Sequence, residues 1–287
     1  MNTIKRLALI NKVNVDLGSQ FPLKHVPITM DDIEKVYNRC VLGFSVDAKT
    51  KKGLGKGYLT GILYLAPASL SGVNMCPKSS AGCRAACLFT AGRGRFYSVT
   101  RARIVKTLAM VFDQLRFDKN VKKSIKSGIV KARNKGLTLC IRLNGTSDRL
   151  WELNSDIIQS FPDVIFYDYT AIPKRYNFKI PANYHLTFSL KEDNDSDAIH
   201  VLNKGGSVAA VFRTSELPVS LFGYTVVNGD ATDLRFLDAK GVVVGLKAKG
   251  RAKKDTSGFV RDTVPIVSGL TQDDMAAAYK WHPELFN

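Results

Sequence analysis

Residues 137–148 read LTLCIRLNGTSD. A short, mostly apolar run, interrupted by Thr138 and Arg142, gives way at once to Asn144, Gly145, Thr146, Ser147 and Asp148. Such a run, bounded by polar and glycine residues, reads as a buried strand rather than a helix. Cys140 lies inside it and is expected to be a buried small hydrophobe. The same pattern recurs on both sides: GYLTGILYLAP (57–67), DVIFYDYTAIP (163–173), NYHLTFSL (183–190), SVAAVFR (207–213), FGYTVVNGD (222–230) and VVVGLKAKG (242–250). Helical patterns separate several of them, at residues 99–115, 120–135, 150–160 and 195–203. Strand alternating with helix implies an α/β fold with a mostly parallel sheet. About seven units suggest an irregular or incomplete (β/α) TIM-like barrel, with a doubly wound open sheet as the alternative. The later connections, RTSELPVSL among them, are too short for a crossover helix, so the barrel is expected to be imperfect.

Residues 1–56 read as an N-terminal extension, with one helix in ITMDDIEKVYNRC starting near Thr29 or Asp31. The catalytic, barrel-like domain is expected to occupy residues 57–287. No window approaches the roughly 20 apolar residues of a membrane span, which points to a cytoplasmic protein with no membrane partner. Forty-two Lys and Arg against twenty-five Asp and Glu give a net charge of +17, which calls for a polyanionic partner, nucleic acid first. A basic protein with merely solvated lysines is the plain alternative.

In parallel α/β architectures reactive groups gather where strands end and the following loops begin. Those positions carry Asn144, Thr146 and Asp148 after one strand, Asp168 and Thr170 at another, and Asn228, Asp230 and Asp233 at a third. His185 lies within its strand, as a core or pocket histidine or a substrate contact. Neighbouring carboxylates can supply a nucleophile, a general acid or base and a substrate-orienting acceptor. The same residue types also cap helices, so Asp148, which precedes RLWELNSDIIQS, fits either role. Gly229 beside Asp230 permits close backbone approach to a ligand.

The segment CPKSSAGCRAACLFTAGRGRF (76–96) holds Cys76, Cys83 and Cys87 in C-x6-C-x3-C spacing. Thiolates so placed suit zinc or, with a vacant fourth position, an iron–sulfur cluster; a compact loop with buried thiols is the alternative. Downstream, Arg93, Arg95 and Arg101 combine glycine-rich backbone with guanidinium groups, as phosphate contacts require. Lys247, Lys249 and Arg251 in GLKAKGRAKKDTSG (245–258) have the same character.

Taken together, SGVNMCPKSSAGCRAACLFTAGRGRF, IRLNGTSDRLWE, FYDYTAIPKR and GLKAKGRAKKDTSGFV resemble bacteriophage-encoded proteins over much of residues 57–260. Within that group the pattern is similar to phage DNA-guanine transglycosylases, distant relatives of tRNA-guanine transglycosylases. The resemblance implies an enzyme that exchanges guanine in double-stranded DNA for 7-cyano-7-deazaguanine, a 7-deazaguanine base, and so protects the DNA from host restriction. It further implies that Asp168 recognises the base and that Asp230, with Asp148 as its rival, is the nucleophile. The zinc module and glycine-rich motif of the tRNA enzymes are not visible. Two other classes remain in view. One is a radical S-adenosylmethionine-like enzyme with a cluster on the three cysteines, although the C-x3-C-x2-C spacing is not met. The other is a non-enzymatic DNA-binding protein.

Overall fold

The structure is a computed structural model and describes residues 1–45 and 47–262. Residues 263–287 of the region expected to form the barrel therefore lie outside the described residues. The helices are α1 (Thr3–Gln20), α2 (Met30–Val36), α3 (Ala48–Lys51), α4 (Ala81–Ala85), α5 (Tyr97–Phe112), α6 (Gln114–Arg133), α7 (Trp151–Asn154) and α8 (Asp195–Asn203). The strands are β1 (Gly43–Phe44), β2 (Tyr58–Ile62), β3 (Thr138–Arg142), β4 (Ile165–Thr170), β5 (Tyr184–Ser189), β6 (Ser207–Arg213), β7 (Ser220–Leu221), β8 (Tyr224–Asn228), β9 (Val243–Lys247) and β10 (Val260–Asp262). The architecture is thus mixed α/β with ten mostly parallel strands, and every apolar run quoted above contains a strand.

Two compact units share these elements. The first comprises Met1–Pro77, Phe89–Asp168 and Ile180–Tyr184. Its strands β2 and β3 run parallel, Leu59 opposite Leu139 and Gly61 opposite Ile141, and β3 continues parallel to β4 through Cys140 and Ile165. Leu59, Ile62, Leu139, Cys140, Ile141 and Phe166 are all buried, which is why these strands show no apolar–polar alternation. The N-terminal residues contribute to this core. Helix α1 buries Ile10, Val13 and Leu17, spaced three and four apart on one face, and Asn2 caps it by accepting the Lys5 N–H at 3.0 Å. Thr29 caps α2 in a reciprocal box with Asp32, as expected for the first of the two start positions.

Arg101 on α5 ties this N-terminal segment down. It donates to the Val26 carbonyl at 3.1 Å, the Pro27 carbonyl at 2.9 Å and Asp32 Oδ2 at 2.8 Å. Burial pushes Asp32 up, but the Thr29 N–H, the Thr29 hydroxyl and Arg101 together hold its carboxyl below the usual range. Asp113 leaves helical geometry and ends α5, then accepts the Arg116 N–H at 3.0 Å to start α6. The helix expected over residues 150–160 shrinks to α7, because Ser155 is extended and the Asn154 carbonyl accepts from the Gln114 side chain.

The second unit comprises Lys78–Leu88, Tyr169–Lys179 and the described residues from His185 onward. Here β5 runs parallel to β6, β6 to β9 and β9 to β8, while β10 also pairs with β6. Strand β9 therefore sits between β6 and β8, so neighbours in space do not follow chain order. The stretch after β6 first forms the antiparallel β7–β8 pair, and β9, next in the chain, then inserts parallel to both β6 and β8. Phe188, Val201, Leu202, Val208, Phe212 and Val243 form the core against α8. Fully burying side chains of this size stabilises by roughly 1.5–3 kcal/mol each.

Candidate functional site

In the first unit, the residues that follow β3 build a buried polar web. The Asn144 N–H donates to Asp168 Oδ1 at 2.8 Å, and Tyr184 Oη donates to Asp168 Oδ2 at 2.9 Å. Both carboxylate oxygens of Asp168, 1% exposed, are thereby oriented. Asn144 Oδ1 accepts from the Ser147 hydroxyl at 2.9 Å, the Arg149 N–H at 2.9 Å and Trp151 Nε1 at 3.1 Å. Its Nδ2 donates to the Arg149 carbonyl at 2.9 Å, so one side chain shapes the whole turn. Gly145 is needed because a Cβ there would meet the Leu63 carbonyl oxygen at 2.7 Å. Thr146 Oγ1 donates to the Leu65 carbonyl at 2.5 Å.

Asp148 is buried beside this web, its N–H on the Met75 carbonyl at 2.9 Å. It does not cap α7, whose cap is Leu150 with no side-chain hydrogen bond, so the capping alternative falls away. Cys76 is linked to the same loops: its thiol accepts the Ala68 N–H at 3.3 Å and points at the Thr146 carbonyl at 3.8 Å.

The second unit presents a different arrangement at the ends of β8 and β9. Asp230 Oδ2 accepts the Lys247 N–H at 2.9 Å, and Oδ1 pairs with Lys249 Nζ at 2.6 Å. The Asp230 side chain remains 20% exposed, whereas Asp148 and Asp168 are buried. Asn228 Oδ1 accepts the Asp230 N–H at 3.0 Å, which sets the turn, and Gly229 leaves no room for a Cβ, which would lie 2.4 Å from Val244 Cγ1. Lys247, Lys249 and Arg251 are exposed, as are Lys253 and Lys254.

Buried Asp255 and exposed Arg213 hold this basic segment. Asp255 accepts the Ser257 hydroxyl at 2.7 Å and the Val260 N–H at 3.0 Å, while Arg213 binds the Lys253 carbonyl at 2.7 Å and the Asp255 carbonyl. Burial pushes Asp255 up, yet the hydrogen bonds from Val260 and Ser257, with Arg213, keep it below the usual carboxylate range. A negative charge is thus retained at the base of a positive loop.

Thr170, buried, accepts the Ile172 N–H at 3.1 Å and serves its own turn. His185 is exposed rather than a core histidine, with its ring 5.9 Å from Phe236; desolvation on that side and Lys240 lower its proton affinity. Arg93 and Arg95 are exposed on the helical turn Gly92–Arg95, whereas Arg101 is engaged as described. Glu192, which carries no sequence motif, is a positioning residue: it accepts the Ser80 hydroxyl and the Gly82 N–H, each at 2.7 Å.

All five cysteines are thiols, and Cys76 lies in the first unit while Cys83 and Cys87 lie in the second. Among the described residues no three His, Cys, Asp or Glu side chains are grouped so as to hold a metal ion. No helix among them is long and apolar enough to cross a membrane.

Comparison with known proteins places the chain in a family. Residues 42–263 match the family described as Gene product 88, and the chain belongs to it. No curated protein and no solved structure matches.

Proposed function

We propose that this protein is a DNA base-exchange enzyme that replaces guanine by 7-cyano-7-deazaguanine, with Asp230 as nucleophile. The observation that carries the reading is the Asp230 carboxylate: partly exposed, just beyond a parallel strand, and bound by a backbone N–H and an ammonium 2.6 Å away. The ionised carboxylate is the form that attacks. The exposed lysines around it give the local field that a phosphate backbone needs.

The chemistry balances without a redox step. A carboxylate oxygen of Asp230 bonds to the sugar C1′ as the bond from C1′ to guanine N9 breaks, and the departing guanine takes up a proton. The incoming 7-deazaguanine base then gives up a proton and bonds to C1′, releasing the carboxylate. DNA so modified would escape host restriction, the role that the resemblance implies. The irregular (β/α) barrel belongs to the same reading and draws support from the parallel neighbours β2–β3–β4 in one unit and β5–β6–β9 in the other.

A covalent intermediate gives the test. Wild-type protein mixed with guanine-containing duplex and no incoming base should yield a denaturation-resistant protein–DNA adduct, and Asp230→Asn should not. An undiminished adduct in Asp230→Asn, with its loss in Asp148→Asn, would transfer the role to Asp148; no adduct in any form would overturn the reading.

A further inference from the structure

Helix α6 carries a second basic surface that lies in the first unit, apart from the Asp230 loop in sequence and in unit. Its buried positions include Phe117, Val121, Ile125, Gly128 and Ala132, a stripe that faces the core. Opposite them, Lys119, Lys123, Lys126 and Arg133 are exposed. At 100° per residue, those four fall within an arc of about 80°, and at 1.5 Å per residue they span about 21 Å. No acidic group among the described residues pairs with any of them, whereas Lys122 on the helix flank pairs with Asp156 at 2.6 Å and Arg116 with Glu34 at 2.9 Å. The only carboxylate within α6, Asp118, is buried.

Four aligned cations with no counter-charge among the described residues repel one another, and a solvated helix ordinarily intersperses glutamates to relieve this. A linear polyanion relieves it instead. We infer that the exposed face of α6 is a docking surface for the phosphate backbone of duplex DNA. The stripe length matches about six base pairs of a duplex, which carries one charge per roughly 1.7 Å of axis. An anionic lipid surface would also attract lysines, but α6 offers it only Leu115 and Val130 as exposed large apolar residues, too little to enter a bilayer. Lysines and one arginine without polar base-reading partners would grip the backbone and not select sequence.

The inference rests on DNA being the polymer acted on, but its test is separate from the chemistry. The variant Lys119→Gln/Lys123→Gln/Lys126→Gln/Arg133→Gln keeps helix-forming residues at exposed positions, and circular dichroism should show an unchanged fold. Affinity for two fluorescein-labelled 30-base-pair duplexes of unrelated sequence would be measured from 50 to 200 mM salt, with no incoming base present. Each lost phosphate contact lowers the salt slope by about 0.9, so the slope should fall by roughly 3 to 4, equally for both duplexes. The wild type should therefore lose about 100-fold more affinity than the variant across that salt range. An unchanged slope overturns the inference, as does loss of binding to phosphatidylserine vesicles with DNA binding intact. If the slope falls while no base is incorporated, the docking surface stands and base exchange fails; if base is incorporated and the slope is unchanged, the reverse holds.

Discussion

Asn144 shows how a residue that reads as part of a site can be the frame of one. As a strand-end amide it has the position of a substrate contact, but its side chain is committed to Ser147, Arg149 and Trp151. Truncation strands several buried donors at once, each costing about 1–3 kcal/mol. Asn144→Ala should therefore lower stability by about 3 kcal/mol, read as a drop in the urea midpoint. Asp118 offers a pH-dependent counterpart. Burial raises its proton affinity, and Ser155, Gln114 and Arg149 only partly oppose this. With a folded pKa above the unfolded one, its contribution is full below about pH 4 and is lost as pH rises through the folded value. Asp118→Asn should accordingly gain on wild type between pH 4 and pH 7 in thermal melts. A constant difference over that range would contradict the assignment. What the sequence could not supply at this scale was the partner of each polar residue: only folding brings Tyr184 to Asp168, Glu192 to Gly82 and Trp151 to Asn144.

Elements were legible where one signal sufficed. Buried strands announced themselves through apolar runs, and Thr29, one of the two start positions read from the sequence, caps α2. Two features escaped because they depend on distant chain. Helix α1 carries Ile10, Val13 and Leu17 among lysines and asparagines, so its apolar stripe is narrow and its tertiary burial decides it. Helix α7 stops early because side chains from elsewhere take its carbonyls, Gln114 at Asn154 and Gln159 at Glu152. The attachment of the N-terminal segment is testable through Asp32. Its pKa is held down, so its contribution is present above the unfolded value and fades as pH falls through the folded one. Asp32→Asn should cost about 1–2 kcal/mol at pH 7, where it weakens both the α2 cap and the Arg101 contact, and distinctly less at pH 3, in matched denaturant titrations.

At the scale of the molecule, two of the surfaces that present basic side chains have different surroundings. The loop after β9 sets its lysines around a carboxylate, which suits a place where a polyanion is held and altered. On the exposed face of α6 the four cations pair with no acidic group among the described residues, which suits a place where it is only held. Alternation made α/β readable; the β6–β9–β8 order was not, since it depends on how strands distant in the chain pair. The central claim is that Asp230 performs base exchange on DNA. Its most direct measurement is incorporation of radiolabelled 7-cyano-7-deazaguanine into guanine-containing duplex by wild type and by Asp230→Asn. The wild type should label the duplex, and loss of the nucleophile should cut the rate about 1000-fold or more. Labelling by Asp230→Asn at the wild-type rate, or none by the wild type, would contradict it.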